Sequence, residues 1–230
     1  MSYLYWPGYI SDDAGVVSIR PLTFQINDLS PREATYRLDV PKPFEEWHGE
    51  NSAIYTDLSG LVTDHLDCAH TRVISCRLKE FLEPIIGDEA QFLPIDLKAR
   101  DGSRSIGGYW IMHVTAMVDC LDLTKCPDTN ESNAQSPGPA PRDFVRFGGV
   151  YGGNLEYYST HVLGDCTEAD RVLIFYAGPS VVLFADAIPP DLHVFRVKHW
   201  YGNHLIIRKD LAEALTQQEF RGLLFKDCQC

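Results

Sequence analysis

The segment VISCRLKEFL at residues 73–82 returns far down the chain as IIRKDLAEAL at residues 206–215. Setting Leu78 on Leu211 aligns Val73 with Ile206, Ile74 with Ile207, Glu80 with Glu213 and Leu82 with Leu215, a shift of 133 residues without a gap. Another apolar stretch follows each copy, QFLPIDL at 91–97 and EFRGLLF at 219–225. The pattern reads strand, helix, strand, written twice. It limits what the chain can become, because each short helix has one apolar stripe that strands must cover. In the first copy Leu78, Phe81, Leu82 and Ile85 fall at i, i+3, i+4 and i+7, which predicts a helix over 76–86. Ser75 suits its N-cap and Gly87 its stop. The second copy predicts a helix over about 209–217 with Leu211, Ala214 and Leu215 inward.

Around these units the chain reads mostly as short strands. Residues 1–45 are interrupted every dozen or so positions by Pro7-Gly8, Asp12-Asp13, Asn27-Asp28 and Pro41–Pro43, which marks short strands and loops. A short helix is expected near 57–66. The run YWIMHVTAMV at 109–118 is aromatic and β-branched and reads as a buried strand. So do RVLIFYAG at 171–178 and VVLFADAI at 181–188, around Gly178-Pro179-Ser180, and HVFRVK at 193–198. The segment PDTNESNAQSPGPAP, 127–141, holds four prolines and no large apolar residue, so it is expected as a flexible loop. The expected fold is α+β, mostly antiparallel strands with few helices. An N-terminal strand and loop segment covers 1–46. Residues 47–230 form the main domain, with lobes 47–126 and 142–230 joined by loop 127–141.

Composition narrows the function. The 230 residues carry 32 acidic and 20 basic side chains, a formal charge of −12, opposite in sign to what nucleic acid binding wants. Such a surface suits a basic partner or simply keeps a protein in solution. No apolar run approaches the ~18 residues of a membrane span. The start, MSYLYWPGYISDDAG, has neither a charged n-region nor an apolar h-region, so cytoplasmic residence is expected. Seven cysteines, an odd number without framework spacing, are expected as free thiols; Cys228 and Cys230 sit in the C-terminal tail.

Chemistry is sparse. DHLDCAH, 64–70, places His65, Cys68 and His70 close in sequence, which suits a metal site completed from elsewhere, by His199 and His204 for example, or a polar surface turn. The glycine pairs at 148–149 and 152–153 lack the order of a phosphate-binding loop and read as bends between strands. No G-x-S-x-G elbow is present. Asp119/Asp122 and Asp12/Asp13 suit solvated turns as well as acid–base work, and His113 in an apolar strand reads as a hydrogen-bonded core histidine. The aromatics Trp200 and Tyr201 in WYGNH, and Tyr157-Tyr158, are candidate anchors for a protein partner, or caps on the core.

The order VISCRLKEFLE, FLPIDL, GGYWIMHVTAMVDCLDL, HVFRVKHWYGNHLIIRKDLAEAL and FRGLLF resembles an immunity-protein family of bacterial polymorphic toxin systems. This is the eleventh immunity family, first defined from a myxobacterial sequence and once classed as a domain of unknown function. The likeness runs over roughly 47–227. The chain departs from the pattern in its proline-rich stretch 127–141 and glycine-rich 148–153. The resemblance implies a protein without catalysis that binds and blocks a cognate toxin; no cofactor is expected, and the candidate aromatics Trp200, Tyr201, Tyr157 and Tyr158 are where toxin contacts are expected. The toxin would act in the cytoplasm, and neither nucleic acid nor membrane is an expected partner. The rival reading is a small cytosolic metal- or thiol-dependent enzyme using His65, Cys68 and His70.

Overall fold

The computed structural model describes residues 2–7, 23–31, 34, 37–38, 41–55, 63–66, 71–120, 182–198 and 205–228. Within these residues the fold is α+β: eleven strands in two mixed, mostly antiparallel sheets, with two α-helices. The strands, in chain order, are β1 Tyr3–Trp6, β2 Thr23–Gln25, β3 Ser52–Tyr55, β4 His65–Leu66, β5 Arg72–Ser75, β6 Ala90–Ala99, β7 Ser105–Val114, β8 Met117–Val118, β9 Val194–Val197, β10 Leu205–Arg208 and β11 Lys226–Asp227. The helices are α1 Cys76–Ile86 and α2 Lys209–Gln217. One sheet runs β2-β3-β6-β7-β5-β4 and the other β11-β1-β10-β9-β8. Only β3/β6 and β8/β9 pair in parallel among the described strands.

The repeat read in the sequence is a repeat in space. The shift of 133 carries Arg72–Ser75 onto Leu205–Arg208, and the first helical residue, Cys76, onto Lys209. Both strands show the same burial, three buried residues and then a half-buried one, and both are antiparallel to their neighbours on either side. Leu78 and Leu211 are buried at equivalent helix positions, as are Leu82 and Leu215. On α2 Ala212 is buried and Ala214 only half-buried, a small rotation from the expected stripe. The two caps differ. Ser75 Oγ accepts from Leu78 N–H at 3.2 Å, as expected, and Gly87 ends α1 at φ +48°. Arg208 offers α2 no side-chain cap; instead the Asp210 carboxylate accepts from Leu211 N–H at 2.9 Å and from Arg208 Nε at 2.6 Å.

The stripes of both helices enter one shared core. Leu78, Leu82 and Ile86 of α1 and Leu211, Ala212 and Leu215 of α2 join Ile74 and Met112 of the six-stranded sheet and Trp6, Leu205 and Ile207 of the five-stranded sheet. Each buried leucine of this kind is worth roughly 1.5–3 kcal/mol of transfer free energy. The outer face of each sheet has a core of its own. Ile26, Leu38 and Phe44 join Phe24, Leu93, Ile95, Leu97 and Ile111 of the six-stranded sheet. Cys120, Leu183 and Ile188 join Tyr5, Val118, Phe195 and Ile206 of the five-stranded sheet.

The expected strand 109–118 passes from one sheet into the other: β7 ends at Val114, the Glu89 carbonyl accepts from Thr115 and Ala116 N–H, and β8 then pairs with β9. Near this crossing the Glu89 carboxylate accepts from His193 N–H, Val194 N–H and His193 Nδ1–H at 3.0, 2.7 and 3.0 Å, tying the end of α1 to β9. His113 is a core histidine, with Nε2 donating to the Lys42 carbonyl at 2.9 Å.

Three expectations change. His65–Leu66 belong to a strand, so the helix expected at 57–66 does not reach them. Val182 and Leu183 make only a bridge, and Ala185–Ala187 is a 3-10 turn that the prolines at 189–190 keep from continuing. EFRGLLF is not a strand: Glu219 at φ +53° and Gly222 at φ +83° break the extended path, and pairing resumes only at Lys226–Asp227. The loop 127–141, the glycine pairs at 148–153 and the strand 171–178 lie outside the described residues. Among the described residues no helix is long and apolar enough to cross a membrane.

Candidate functional site

Of the residues singled out for metal chemistry, the structure describes His65. Its ring is shut inside the molecule at 1% exposure, against Trp6 with ring centroids 5.5 Å apart. Nδ1 lies 2.9 Å from the Gly222 carbonyl, which can only accept, so Nδ1 carries the hydrogen and Nε2 the lone pair. That Nε2 is buried without a hydrogen-bond partner. Burial first, and the Arg72 cation second, push the imidazole pKa down to about 3, with the Gly222 bond a smaller opposing effect. Neutral imidazole is the form that binds metals, but a ring sealed from solvent beside a buried guanidinium is a poor seat for a metal cation.

His65 belongs instead to a latch on the segment after α2. Asp64 and His65 N–H donate to the Arg221 carbonyl at 3.0 and 3.1 Å, and Arg221 N–H donates back to the Asp64 carboxylate at 2.9 Å. Arg77 bridges the Asp64 carboxylate and the Gln218 carbonyl, with its guanidinium 4.3 Å over the Phe220 ring. Cys68, His70, His199 and His204, and the aromatics Trp200, Tyr201, Tyr157 and Tyr158, lie outside the described residues. Asp119 is an exposed partner of Lys198 at 3.5 Å.

The most built surface feature is one that the sequence reading passed over, the irregular connector between residues 41 and 51. It has no regular structure of its own, yet side chains hold it at many points. Gln91 acts as a peptide unit in side-chain form: its Oε1 accepts from Phe44 N–H at 2.8 Å and its Nε2 donates to the Phe44 carbonyl at 2.9 Å. Trp47 Nε1 donates to the Pro94 carbonyl at 2.9 Å. Asn27, in the left-handed region at φ +48°, accepts from His48 N–H and donates to the Glu46 carbonyl. Asn51 Oδ1 accepts from Asn27 N–H at 2.6 Å, and Asn51 Nδ2 donates to the His48 carbonyl. These partners belong to the hairpin β6–β7 and the turn after β2, so the connector takes its shape from the six-stranded sheet.

Beside this connector is an open groove of about 290 Å³ lined by Asn27, Leu29, Arg37, Phe44, Glu45 and Glu46. Phe44 is rooted in the core with Trp47 and His113 edge-on to its ring at 5.2 and 5.3 Å. Arg37 lies over the same ring at 4.3 Å and donates to the Lys42 and Pro43 carbonyls at 3.1 and 2.6 Å. Burial lowers the guanidinium's pKa from its ordinary value, and Glu45 opposes that shift. Glu45, Glu46, Asp28 and Glu50 are exposed around it. The sequence did carry a signal for this groove, the acidic pair and aromatic of PFEEWHGE between Pro43 and the strand at 52.

The model of the Immunity protein family (Imm11) matches residues 13–146, more than half of the chain. The matched span takes in β2 to β8, α1 and the whole 41–51 connector; β9, β10 and α2 lie beyond it. It begins earlier and ends sooner than the 47–227 over which the likeness was read. No curated protein matches the chain. With its α+β fold and a match over this span, the chain belongs to the Immunity protein family (Imm11).

Proposed function

We propose that this protein is a non-catalytic immunity protein that binds a cognate bacterial toxin acting in the cytoplasm and neutralises it by stoichiometric complex formation. The family membership carries this reading. The formal charge of −12 adds a sign: a basic toxin would be steered toward the chain and meet it faster than an uncharged one. The rival is a metal- or thiol-dependent enzyme using His65, Cys68 and His70, and the burial of the His65 imidazole beside Arg72 speaks against that residue as a ligand or base. Trp200, Tyr201, Tyr157 and Tyr158 remain proposed aromatic anchors of the interface, since a few Tyr, Trp and Arg side chains carry most of the energy of a specific contact that buries roughly 1,600 Å² in total.

The test is to mix the purified chain with a candidate toxin domain encoded beside its gene, measuring complex formation and residual toxin activity together. A one-to-one complex with loss of activity is expected. If no complex forms at micromolar concentrations, the immunity reading fails for that pair. Turnover of a small substrate by the chain alone, abolished by chelator, would replace it with the enzyme.

A further inference from the structure

We infer that a single internal water molecule binds between Trp6 and His65, accepting a hydrogen bond from the indole Nε1–H and donating one to the imidazole Nε2, and so ties the five-stranded sheet to the six-stranded sheet. This inference is independent of the immunity reading. Trp6 stands on β1 and His65 on β4, each 1% exposed. Their rings lie 5.5 Å apart between centroids and are tilted by 53°. Nδ1 of His65 donates to the Gly222 carbonyl, which leaves Nε2 as an acceptor, whereas Trp6 Nε1 is only a donor. Neither nitrogen has a hydrogen-bond partner within the protein, so a buried donor and a buried acceptor stand in neighbouring rings.

Three ways of satisfying this pair exist, and two fail. A direct Nε1–H···Nε2 bond needs the nitrogens about 3 Å apart, and the structure makes no such bond. A proton on Nε2 would leave two donors and no acceptor, close to the Arg72 guanidinium, which stands 5.7 Å from the Trp6 ring centroid and already opposes a charge on His65. A water satisfies both nitrogens. At about 2.7–3.2 Å from each it spans a separation of up to roughly 6 Å, which rings with centroids 5.5 Å apart allow. Two protein partners are the fewest that hold an internal water. The Arg72 cation draws the water oxygen toward itself and leaves a hydrogen free for Nε2. The side chains that share the core with Trp6, among them Ile74, Leu78, Leu205 and Ile207, offer no polar group, so without the water the desolvation of both nitrogens would go unrecovered. The bridge is satisfied in only one relative position of the two sheets, which gives an otherwise apolar core a polar register mark.

The experiment is NMR on the full, isotope-labelled chain. The indole N–H signal of Trp6 is identified without disturbing it, by elimination with Trp47→Phe, Trp110→Phe and Trp200→Phe. Its expected mark is a cross-peak at the water frequency with opposite sign in NOE and ROE spectra, which a long-lived bound water gives and proton exchange does not. His65→Phe keeps an aromatic ring but removes the acceptor, so in that variant the cross-peak is expected to be lost. A crystal structure of the unchanged chain decides without any variant: a water within about 3.2 Å of both nitrogens is expected. The bridge is overturned by the absence of the cross-peak in the unchanged chain, or by its survival in folded His65→Phe. Crystal density that shows no water between the two nitrogens, or shows them bonded to each other, would overturn it equally.

Discussion

Acid should weaken this protein through one buried ring, and the effect can be worked from its surroundings. Folding holds His65 neutral, its pKa pushed from 6.5 down to about 3, because it is sealed from water and faces Arg72. The unfolded chain accepts a proton near pH 6.5, whereas the folded chain refuses it until about pH 3. The stability is therefore complete above pH 6.5 and is lost as pH falls toward 3. At pH 5 the unfolded state gains about 2 kcal/mol over the folded state from this group alone, and by pH 3 about 4 kcal/mol. Other groups titrate too, so the measurement is a difference. Urea unfolding of the unchanged chain and of His65→Gln, at pH 7.5 and pH 5.0, isolates the imidazole. At pH 7.5 the variant should be the less stable, having lost packing against Trp6 and the ring's bond to Gly222. By pH 5.0 the gap should have moved about 2 kcal/mol in the variant's favour. A gap unchanged between the two pH values would refute the reasoning, as would an NMR titration of the folded chain that shows His65 protonated near pH 6.

Leu78→Ala and Leu211→Ala, at matching positions of the repeat, should each cost about 2–5 kcal/mol in urea unfolding; a cost under about 1 kcal/mol for Leu211 alone would break the equivalence of the two units. Gly222→Ala should destabilise by at least 1–2 kcal/mol, because φ is +83° and the new Cβ would stand 2.5 Å from the His65 carbonyl oxygen; a neutral result in thermal melts would mean that the latch after α2 adjusts freely.

The legible parts of this chain were those in which local and global demands agree. Ser75, the apolar stripe that opens at Leu78 and Gly87 state a helix, its start and its stop in thirteen positions, and the helix formed between those limits, though Ile85 is exposed and Ile86 takes its expected place in the core. The second copy has no Ser at its cap position, yet Asp210 two residues on supplies the carboxylate that its first turn needs. By contrast EFRGLLF looks like a strand by composition. It is held open by two left-handed residues and by main-chain bonds to Asp64 and His65, more than 150 positions away, which no local pattern records. His65 misled for a related reason: histidine next to Cys68 and His70 reads as chemistry, and only the packing of Trp6, Arg72 and Gly222 around it shows a buried structural ring. The groove escaped because its acids and aromatic lie in an irregular stretch whose shape is imposed by Gln91, Asn27 and Asn51.

By itself the sequence determined the repeated strand–helix unit, the excess of negative charge and the family resemblance, since each depends on residue order or composition within one stretch of chain. The tertiary structure decided that both helix stripes meet in a single core between two sheets, that one strand crosses from sheet to sheet at Glu89, and that the 41–51 connector is tied to β6 by Gln91 and the Pro94 carbonyl. These are settled by contacts between residues far apart in the chain. Their free energy depends on the distance and burial reached after folding, and sequence neighbours carry no record of either.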